Sequence, residues 1–310
     1  MRLSIDELKA HGAILLANMI WGGLSPVTKL ILQDGTLSGL QLSAIRIIGG
    51  TIVFLIMGVL LPKSVAPNET IRKKDWIKLL AASLLIITFN QALYIVGISY
   101  TSPIDSSVMS TLTPLFTMIC AAIFIGMPIT WLKALGVGLG LTGALLMVFG
   151  QSAGGAAASN PVLGDSLCLV AQLCAALYYV LFRDLISRYS AFTLMKWMFI
   201  MSSCTFGVAM LPELLKVDFA LIPAKVWLSI IYIVLFATFL AYLTIPYAQK
   251  HLKPTAVAMY NYFQPVTSAL LASIMGLATF GFIKIAATLL IFVGVWFVTS
   301  SKGTKNTLRN

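Results

Sequence analysis

The sequence predicts an all-α integral membrane protein in which ten transmembrane helices form two inverted five-helix repeats. Three observations support this fold class. First, 59% of the 310 residues are apolar and only 10% are charged, whereas a soluble protein carries about 25% charged residues. Second, the mean hydropathy is +0.95, and the apolar residues fall into ten stretches that are each long enough to cross a bilayer. Third, a segment bounded by two prolines occurs twice.

The repeated segment reads PIDSSVMSTLTP in the first half of the chain and PTAVAMYNYFQP in the second half. Each copy has two prolines separated by ten residues, and the second copy lies 151 positions after the first. Five pairs of residues match at this offset without a gap, which favours an internal duplication over a chance similarity between two apolar stretches. The pairs are Trp76 and Trp227, Pro103 and Pro254, Pro114 and Pro265, Lys133 and Lys284, and Gly143 and Gly294.

A helix that crosses a bilayer needs about 20 mostly apolar residues. The predicted spans are residues 12–32, 38–61, 76–98, 103–125, 131–150, 163–186, 192–211, 225–249, 254–276 and 281–300. The predicted units are a cytoplasmic leader over residues 1–11, a first five-helix repeat over 12–150, a flexible linker over 151–162, a second five-helix repeat over 163–300 and a cytoplasmic tail over 301–310.

Basic residues at the ends of the spans predict the orientation of the protein. With the N-terminus inside, sixteen Lys and Arg residues lie near the inner ends of the spans and four lie near the outer ends. This bias places both termini in the cytoplasm and the helices in the lipid bilayer of the cell (inner) membrane. The net charge of +11 does not indicate a nucleic-acid partner, because the basic residues lie singly or in small groups at span ends.

An odd number of crossings in the first repeat places the second repeat upside down in the membrane. Inverted repeats of this kind hold a binding site at their interface near the bilayer midplane, and they allow alternating access when one repeat rocks against the other. The sequence therefore predicts a transporter with a small-molecule substrate.

Several short motifs follow one another in a fixed order: Trp21-Gly22 with Lys29 after it, Arg46, the two proline-bounded segments, Thr130-Trp131 and Gly164-Asp165. In their order and spacing the chain resembles the drug/metabolite transporter superfamily, and within it the ten-helix transporters built from two EamA-type domains. The resemblance covers almost the whole chain, and it implies export of small metabolites, commonly amino acids, without a bound cofactor. The family often has Gly-Glu after the fourth and ninth helices, where this chain has Gly126-Met127 and Gly276-Leu277.

Four prolines inside the predicted spans are expected to break or kink their helices. Proline has no N–H and frees the carbonyl four residues before it, which in hydrocarbon needs another partner or a water-filled cavity. Two interpretations are open. The freed carbonyls accept hydrogen bonds in a central cavity, or the prolines only kink the helices so that they pack together. The prolines are Pro26, Pro114, Pro246 and Pro265, and the freed carbonyls belong to Gly22, Ser110, Tyr242 and Asn261.

Polar and aromatic side chains at helical spacing predict a substrate path through the bilayer. They lie on corresponding helices of the two repeats: the first and sixth, the third and eighth, the fourth and ninth. Each side chain alone could instead make an interhelical hydrogen bond worth about 1 kcal/mol, but the set favours a neutral cavity for a zwitterionic or amphipathic solute. The predicted substrate-binding residues are Asn18, Trp21, Arg46, Asn90, Tyr94, Ser110, Gln172, Tyr178, Tyr179, Tyr242, Tyr260, Asn261 and Gln264.

Arg46 lies about eight residues into the second span, which is about 12 Å deep at about 1.5 Å per residue. A charge at that depth is costly and usually marks function. Its guanidinium could bind a substrate carboxylate, cap freed carbonyls or extend outward to the interface. The sequence leaves these three interpretations open.

Other functions stay open as alternatives. A lipid or nucleotide-sugar carrier could share the fold, although it would need a larger or more basic pocket. A membrane-embedded enzyme would need a titratable or metal-binding cluster near the membrane surface, and no catalytic residue is predicted. No metal-binding residue is predicted either, because the spacing of the four cysteines matches no metal site. All ten acidic residues lie near helix ends or in loops, so direct proton coupling is not expected. The sequence does not decide between a single chain and a homodimer.

Overall fold

The computed structural model describes residues 5–127, 129–149, 159–251, 260–277 and 281–300. Ten long helical segments in this part of the chain correspond to the ten predicted spans, and the predicted fold class is confirmed. The segments are α1 (Ile5–Asp34), α2 (Gly39–Leu60), α3 (Lys73–Tyr100), α4 (Pro103–Ile125), α5 (Trp131–Phe149), α6 (Pro161–Leu181), α7 (191–209), α8 (224–251), α9 (260–274) and α10 (Phe282–Ser300).

Six helices among the described residues are long and apolar enough to cross a membrane by length and composition. They are α1, α2, α3, α4, α6 and the Ala224–Thr244 part of α8. Shorter apolar helices lie in α9 and α10, over Phe263–Ile274 and Ile285–Phe297.

Two helix boundaries differ from the expected ones. α1 begins at Ile5, so the helix extends into the expected polar leader, where the carboxylates of Asp6 and Glu7 in its first turn favour a helix N-terminus. The sixth span ends at Leu181 rather than at residue 186, and Arg183–Arg188 forms a separate short helix. Residues 151–158 of the expected linker and 301–310 of the expected tail lie outside the described residues.

The prolines take two kinds of position in the helices. Pro26 lies inside α1 as expected, and Pro246 lies within residues 241–251 of α8. Within the span Pro103–Ile125, α4 is interrupted at residues 111–112, and Pro114 lies in the first turn of its second piece. Pro265 is the third residue of the helix that begins at Phe263. A first turn suits proline because its fixed φ is helical and its missing N–H needs no partner there.

The helices exchange partners between the two halves of the chain. α1 packs against α8 and α9 of the second half, whereas α6 packs against α3 and α4 of the first half. Both contacts are close: a Cβ added at Gly22 would lie 2.7 Å from the carbonyl oxygen of Gln264, and one added at Gly164 would lie 2.7 Å from that of Gly97. The packing units are therefore an α1–α8–α9 bundle and an α3–α4–α6 bundle rather than the two sequence repeats.

The remaining helices join or flank these bundles. α2 and α7 each contact α3 and α8, and they meet around the fully buried Phe54. The Phe54 ring centroid lies 5.3 Å from that of Phe199 and 5.1 Å from that of Phe239. α5 and α10 lie against each other, and a Cβ added at Gly143 would lie 2.8 Å from the carbonyl oxygen of Ala287.

Replacing Gly164 by Ala should destabilise the protein, because the added methyl group would meet backbone atoms of Gly97 and Thr101 at 2.7 Å. These atoms cannot move unless α3 and α6 separate, so we expect the free energy of unfolding to fall by about 1–3 kcal/mol. The measurement is a lower apparent melting temperature in detergent. Gly138→Ala is the control, because the space around Gly138 is open and Ala favours a helix over Gly by about 1 kcal/mol. Equal melting temperatures for the two variants would contradict the close contact.

Candidate functional site

A line of polar side chains connects α1, α4 and α9. Gln264 donates from Nε2 to Oδ1 of Asn18 at 2.7 Å, and the Ser110 hydroxyl donates to Oε1 of Gln264 at 2.9 Å. Asn18 donates from Nδ2 to the carbonyl of Ile14 in its own helix at 2.9 Å. The structure therefore brings three predicted site residues together from the two halves of the chain.

A related contact joins α4 to α6. The Thr113 hydroxyl donates to Oε1 of Gln172 at 2.8 Å. Thr113 and Gln264 are counterparts in the repeat because their numbers differ by 151. Each extends from the proline-bounded helix of one half to the first helix of the other half. Sequence reasoning missed Thr113, although the repeat offset from Gln264 could have identified it.

Acceptor oxygens outnumber hydroxyl donors at the interruption of α4. The Ser110 hydroxyl lies 2.6 Å from the carbonyl of Ser107 as well as 2.9 Å from Gln264. The Thr113 hydroxyl lies 2.9 Å from the Ser110 carbonyl, which Pro114 frees, as well as 2.8 Å from Gln172. A hydroxyl donates a single hydrogen, so each one serves two acceptors. This arrangement favours a ligand that donates hydrogen bonds, such as an ammonium group.

Tyr242 of α8 lies at the middle of an aromatic group. Trp21 meets its ring edge-on at a centroid distance of 5.8 Å, and Phe199 lies at 6.2 Å. The rings of Tyr178 and Tyr179 lie 5.2 Å apart, in the same region as Tyr242. Four predicted site residues, one from α1, two from α6 and one from α8, thus lie together.

Arg46 extends from α2 to α8 and is buried, with 3% of its surface exposed. Its Nε donates to the Thr238 hydroxyl at 2.9 Å, and its Nη2 donates to the Ala237 carbonyl at 3.4 Å. The same carbonyl accepts a 3.0 Å hydrogen bond from Nε1 of Trp21. Tyr232–Leu240 forms π-helical turns, an irregularity that is frequent at functional sites. Arg46 therefore points into the protein and binds a helix carbonyl instead of extending to the interface.

Tyr94 of α3 faces the same region. Its hydroxyl lies 2.9 Å from the Ser25 hydroxyl and donates to the Ser106 carbonyl at 3.2 Å. It is also close enough to the Arg46 guanidinium to interact with it electrostatically. Tyr94 thus connects α1, α3 and α4 beside the buried cation.

Three predicted site residues make contacts away from these groups. Asn90 donates from Nδ2 to the Ala171 carbonyl at 2.7 Å, which is the interhelical hydrogen bond considered as the alternative for each polar residue. The Tyr260 hydroxyl lies 2.8 Å from Nδ1 of His11, two helical turns before Asn18. Asn261 is half-buried in the same turn as Tyr260.

Charged groups are buried where α1 and α3 end and α4 and α6 begin. Nζ of Lys29 donates to three carbonyls at the C-terminal end of α3, at 2.9 to 3.0 Å, which satisfies the end of that helix. Asp105 and Asp165 are fully buried and accept hydrogen bonds from the hydroxyls of Ser102 and Thr101, at 2.6 and 2.5 Å. The sequence placed these carboxylates near helix ends but did not predict their burial.

At the opposite end of the helices, the connection between α2 and α3 binds the connection between α6 and α7. Asp75 accepts from Nη1 of Arg188 at 2.6 Å and from the Tyr189 hydroxyl at 2.8 Å. Glu69 accepts from the backbone N–H and the hydroxyl of Ser190, both at 2.9 Å, and Ser190 caps the N-terminus of α7. These bonds join the two halves of the chain at this end.

The pKa of Glu69 predicts a pH-dependent part of the stability. Burial of the carboxyl raises its pKa, but hydrogen bonds from Ser190 and Thr193 outweigh this effect and bring the pKa below the ordinary value of 4.5. A lowered pKa means that the stabilisation is complete above the ordinary value and is lost as the pH falls through the folded-state pKa. Glu69→Gln should therefore lower the melting temperature at pH 7, and the difference from wild type should close below pH 4.5.

The control for this measurement is Glu213→Gln, which removes an exposed carboxylate paired with Lys216 and should change the melting temperature little. A difference between wild type and Glu69→Gln that stays constant from pH 7 to pH 4 would show that the ionised carboxylate does not supply the stabilisation.

A duplicated set of five helices, with polar contacts between the halves at corresponding positions, defines a multi-pass membrane protein of the transporter class. The chain belongs to the EamA-like transporter family, which matches residues 8–149 and 162–300. The two matched regions coincide with the two predicted repeats. The resemblance to EamA-type members of the drug/metabolite transporter superfamily is confirmed.

The relatives of the chain include proteins named as transporters. It is 27% identical over 206 residues to the uncharacterized transporter YyaM of Bacillus subtilis, covering 66% of this chain and 67% of that protein. It is 24% identical over 252 residues to an uncharacterized transporter of Archaeoglobus fulgidus, covering 80% and 87%. A WAT1-related protein of Arabidopsis thaliana is 27% identical over 209 residues, covering 62% and 52%.

A solved crystal structure has the same fold. The match covers 94% of this chain and 96% of that chain, with a TM-score of 0.63 and 18% sequence identity. At this identity the similarity concerns the fold alone. The family and the named relatives together favour transport over catalysis.

Proposed function

We propose that the protein exports small zwitterionic metabolites such as amino acids by alternating access across the cell (inner) membrane, with both termini in the cytoplasm. The observation that carries this proposal is the hydrogen bond of Ser110 with Gln264, which joins the two bundles and is flanked by the equivalent contacts within them, Gln264 with Asn18 and Thr113 with Gln172. In an inverted repeat, rocking of the bundles opens the interface first to one side of the membrane and then to the other. A site between the bundles is therefore accessible from each side in turn.

The chemistry of the centre supports a zwitterion as the substrate. The surplus of acceptor oxygens at the interruption of α4 suits an ammonium group, and the aromatic faces around Tyr242 suit an apolar or cationic part of the solute. A highly charged solute such as a phosphate would need more cations than Arg46, because Lys29, the other buried cation of the described residues, binds carbonyls at the end of α3. The residues proposed to contact the substrate are Asn18, Trp21, Arg46, Tyr94, Ser110, Thr113, Gln172, Tyr178, Tyr179, Tyr242 and Gln264.

Replacing Gln264 or Gln172 by Leu should slow transport about tenfold, the factor that corresponds to about 1.4 kcal/mol and to the loss of one hydrogen bond. Leu keeps the approximate size of the side chain but removes the amide oxygen that accepts from Ser110, for Gln264, or from Thr113, for Gln172. The measurement is counterflow of each radiolabelled amino acid into proteoliposomes. Gln33→Leu, which replaces an exposed amide at the end of α1, should leave the rate unchanged. Equal rates for all three variants would contradict a substrate path at these glutamines.

Collapse of a pH gradient should leave the initial uptake rate unchanged at a fixed substrate gradient, since we expect facilitated export or exchange without proton coupling. The buried carboxylate of Asp105 lies in the first turn of α4 and that of Asp165 lies one turn into α6, both away from the interruption at residues 111–112. The measurement is uptake into proteoliposomes with and without a protonophore. A steep loss of uptake would instead show proton coupling and would make these two carboxylates the first groups to replace.

A further inference from the structure

Arg46 is a buried cation with no anionic partner among the described residues. Its hydrogen bonds go to two neutral oxygens, those of the Thr238 hydroxyl and the Ala237 carbonyl. In the part of the chain that the structure describes, no ion pair involves Arg46, and its Nη1 makes no hydrogen bond. Burial of a charge is costly without a counter-ion, so this position favours the approach of an anion.

Gln91 supplies a second and independent observation. Its side chain is 2% exposed, and within the described residues neither Oε1 nor Nε2 has a hydrogen-bond partner. Buried amides are normally paired, and an unpaired one calls for an explanation. Gln91 is therefore a buried amide whose approach to the neighbouring Tyr242 hydroxyl falls short of a well-formed hydrogen bond.

The two unsatisfied groups face the same place between α2, α3 and α8. Arg46 and Trp21 donate to the same carbonyl, that of Ala237, and the Trp21 ring meets the Tyr242 ring edge-on at 5.8 Å. The Tyr242 hydroxyl in turn lies next to the Gln91 amide. Tyr94 follows Gln91 by three residues, which places both on one face of α3, and Tyr94 also lies close to Arg46. The free Nη1 donor and the free amide thus converge near the hydroxyl of Tyr242.

We propose that Arg46 and Gln91 form a subsite that binds the carboxylate of the transported molecule. The guanidinium supplies the charge, while its Nη1 and the Nε2 of Gln91 donate hydrogen bonds to the carboxylate oxygens. The proposal rests on the proposed transport function for the place of this subsite on the substrate path. It adds the class of the ligand: molecules that carry a carboxylate bind, and the corresponding amides bind weakly.

The alternative is a structural role in which Gln91 stabilises the protein by turning toward the Tyr242 hydroxyl. The two roles predict opposite effects of Gln91→Leu on the ligand-free protein. Replacing an unpaired buried amide by an apolar group of similar size removes an unfavourable burial and raises the melting temperature. Replacing a structural partner of Tyr242 lowers it.

The test measures binding to the purified full-length protein in detergent, by thermal shift and calorimetry. The probes are the common amino acids, each paired with its own amide, for example L-leucine with L-leucinamide. Wild type should bind the preferred carboxylates at least about tenfold more tightly than their amides, because a hydrogen bond to a charged group contributes that much or more. Arg46→Gln should abolish this preference, and Gln91→Leu should weaken carboxylate binding while raising the melting temperature without ligand.

Two further variants serve as controls. Arg46→Lys keeps the charge without the planar fork and should retain part of the preference for carboxylates. Lys29→Gln removes the other buried cation of the described residues and should leave the preference unchanged, because Lys29 binds carbonyls at the end of α3.

Four outcomes would overturn the subsite: no carboxylate binds wild type, carboxylates and amides bind equally, Arg46→Gln keeps the preference, or Gln91→Leu lowers the melting temperature without ligand. Amide binding with normal counterflow would reject the carboxylate subsite and leave the transport function intact. Carboxylate binding that depends on Arg46, without counterflow in proteoliposomes, would support the subsite and contradict the transport function.

Discussion

Polar groups surrounded by hydrocarbon must find their partners within the protein, and this requirement governs the structure wherever the helices are irregular. The carbonyl that Pro114 frees on Ser110 lies opposite the Thr113 hydroxyl. The Ala237 carbonyl, within π-helical turns, accepts from Trp21 and from Arg46. These two irregular segments thus obtain donors from their own next turn or from a neighbouring helix.

The exchange of α1 and α6 between the halves explains why this interface is polar. Each bundle consists of two helices from one half and the first helix of the other, so the closest contacts cross the sequence repeat. Gly22 and Gly164 permit this approach because a side chain at either position would meet backbone atoms at 2.7 Å. Asn18, one turn before Gly22, and Gln172, two turns after Gly164, then face the proline-bounded helix of the other half. Duplication alone would not place Asn18 beside Gln264.

Hydropathy predicted the ten spans, because a helix that crosses a bilayer needs about 20 mostly apolar residues. The 151-residue offset between matching residues predicted the repeat. Helical spacing predicted that Asn18 and Trp21 share a face of α1, and in the structure Asn18 contacts α9 whereas Trp21 contacts α8. The spacing could not assign partners between helices, since Gln264 lies 246 residues from Asn18 and pairs with it only through the exchange of α1. The interruption of α4 and the burial of Asp105 also depend on neighbouring helices, so no local pattern revealed them.

The hydrogen-bonding character of the centre differs from one part to the next. Around Ser110 and Thr113, oxygen acceptors compete for two hydroxyl hydrogens, whereas the proposed subsite offers unused N–H donors from Arg46 and Gln91. A molecule with an ammonium group at one end and a carboxylate at the other would satisfy both parts at once. Neither end of such a molecule could replace the other, because an acceptor-rich region repels a carboxylate and a guanidinium repels an ammonium group. On the proposed transport function, this arrangement of donors and acceptors would select an orientation of the solute as well as its class.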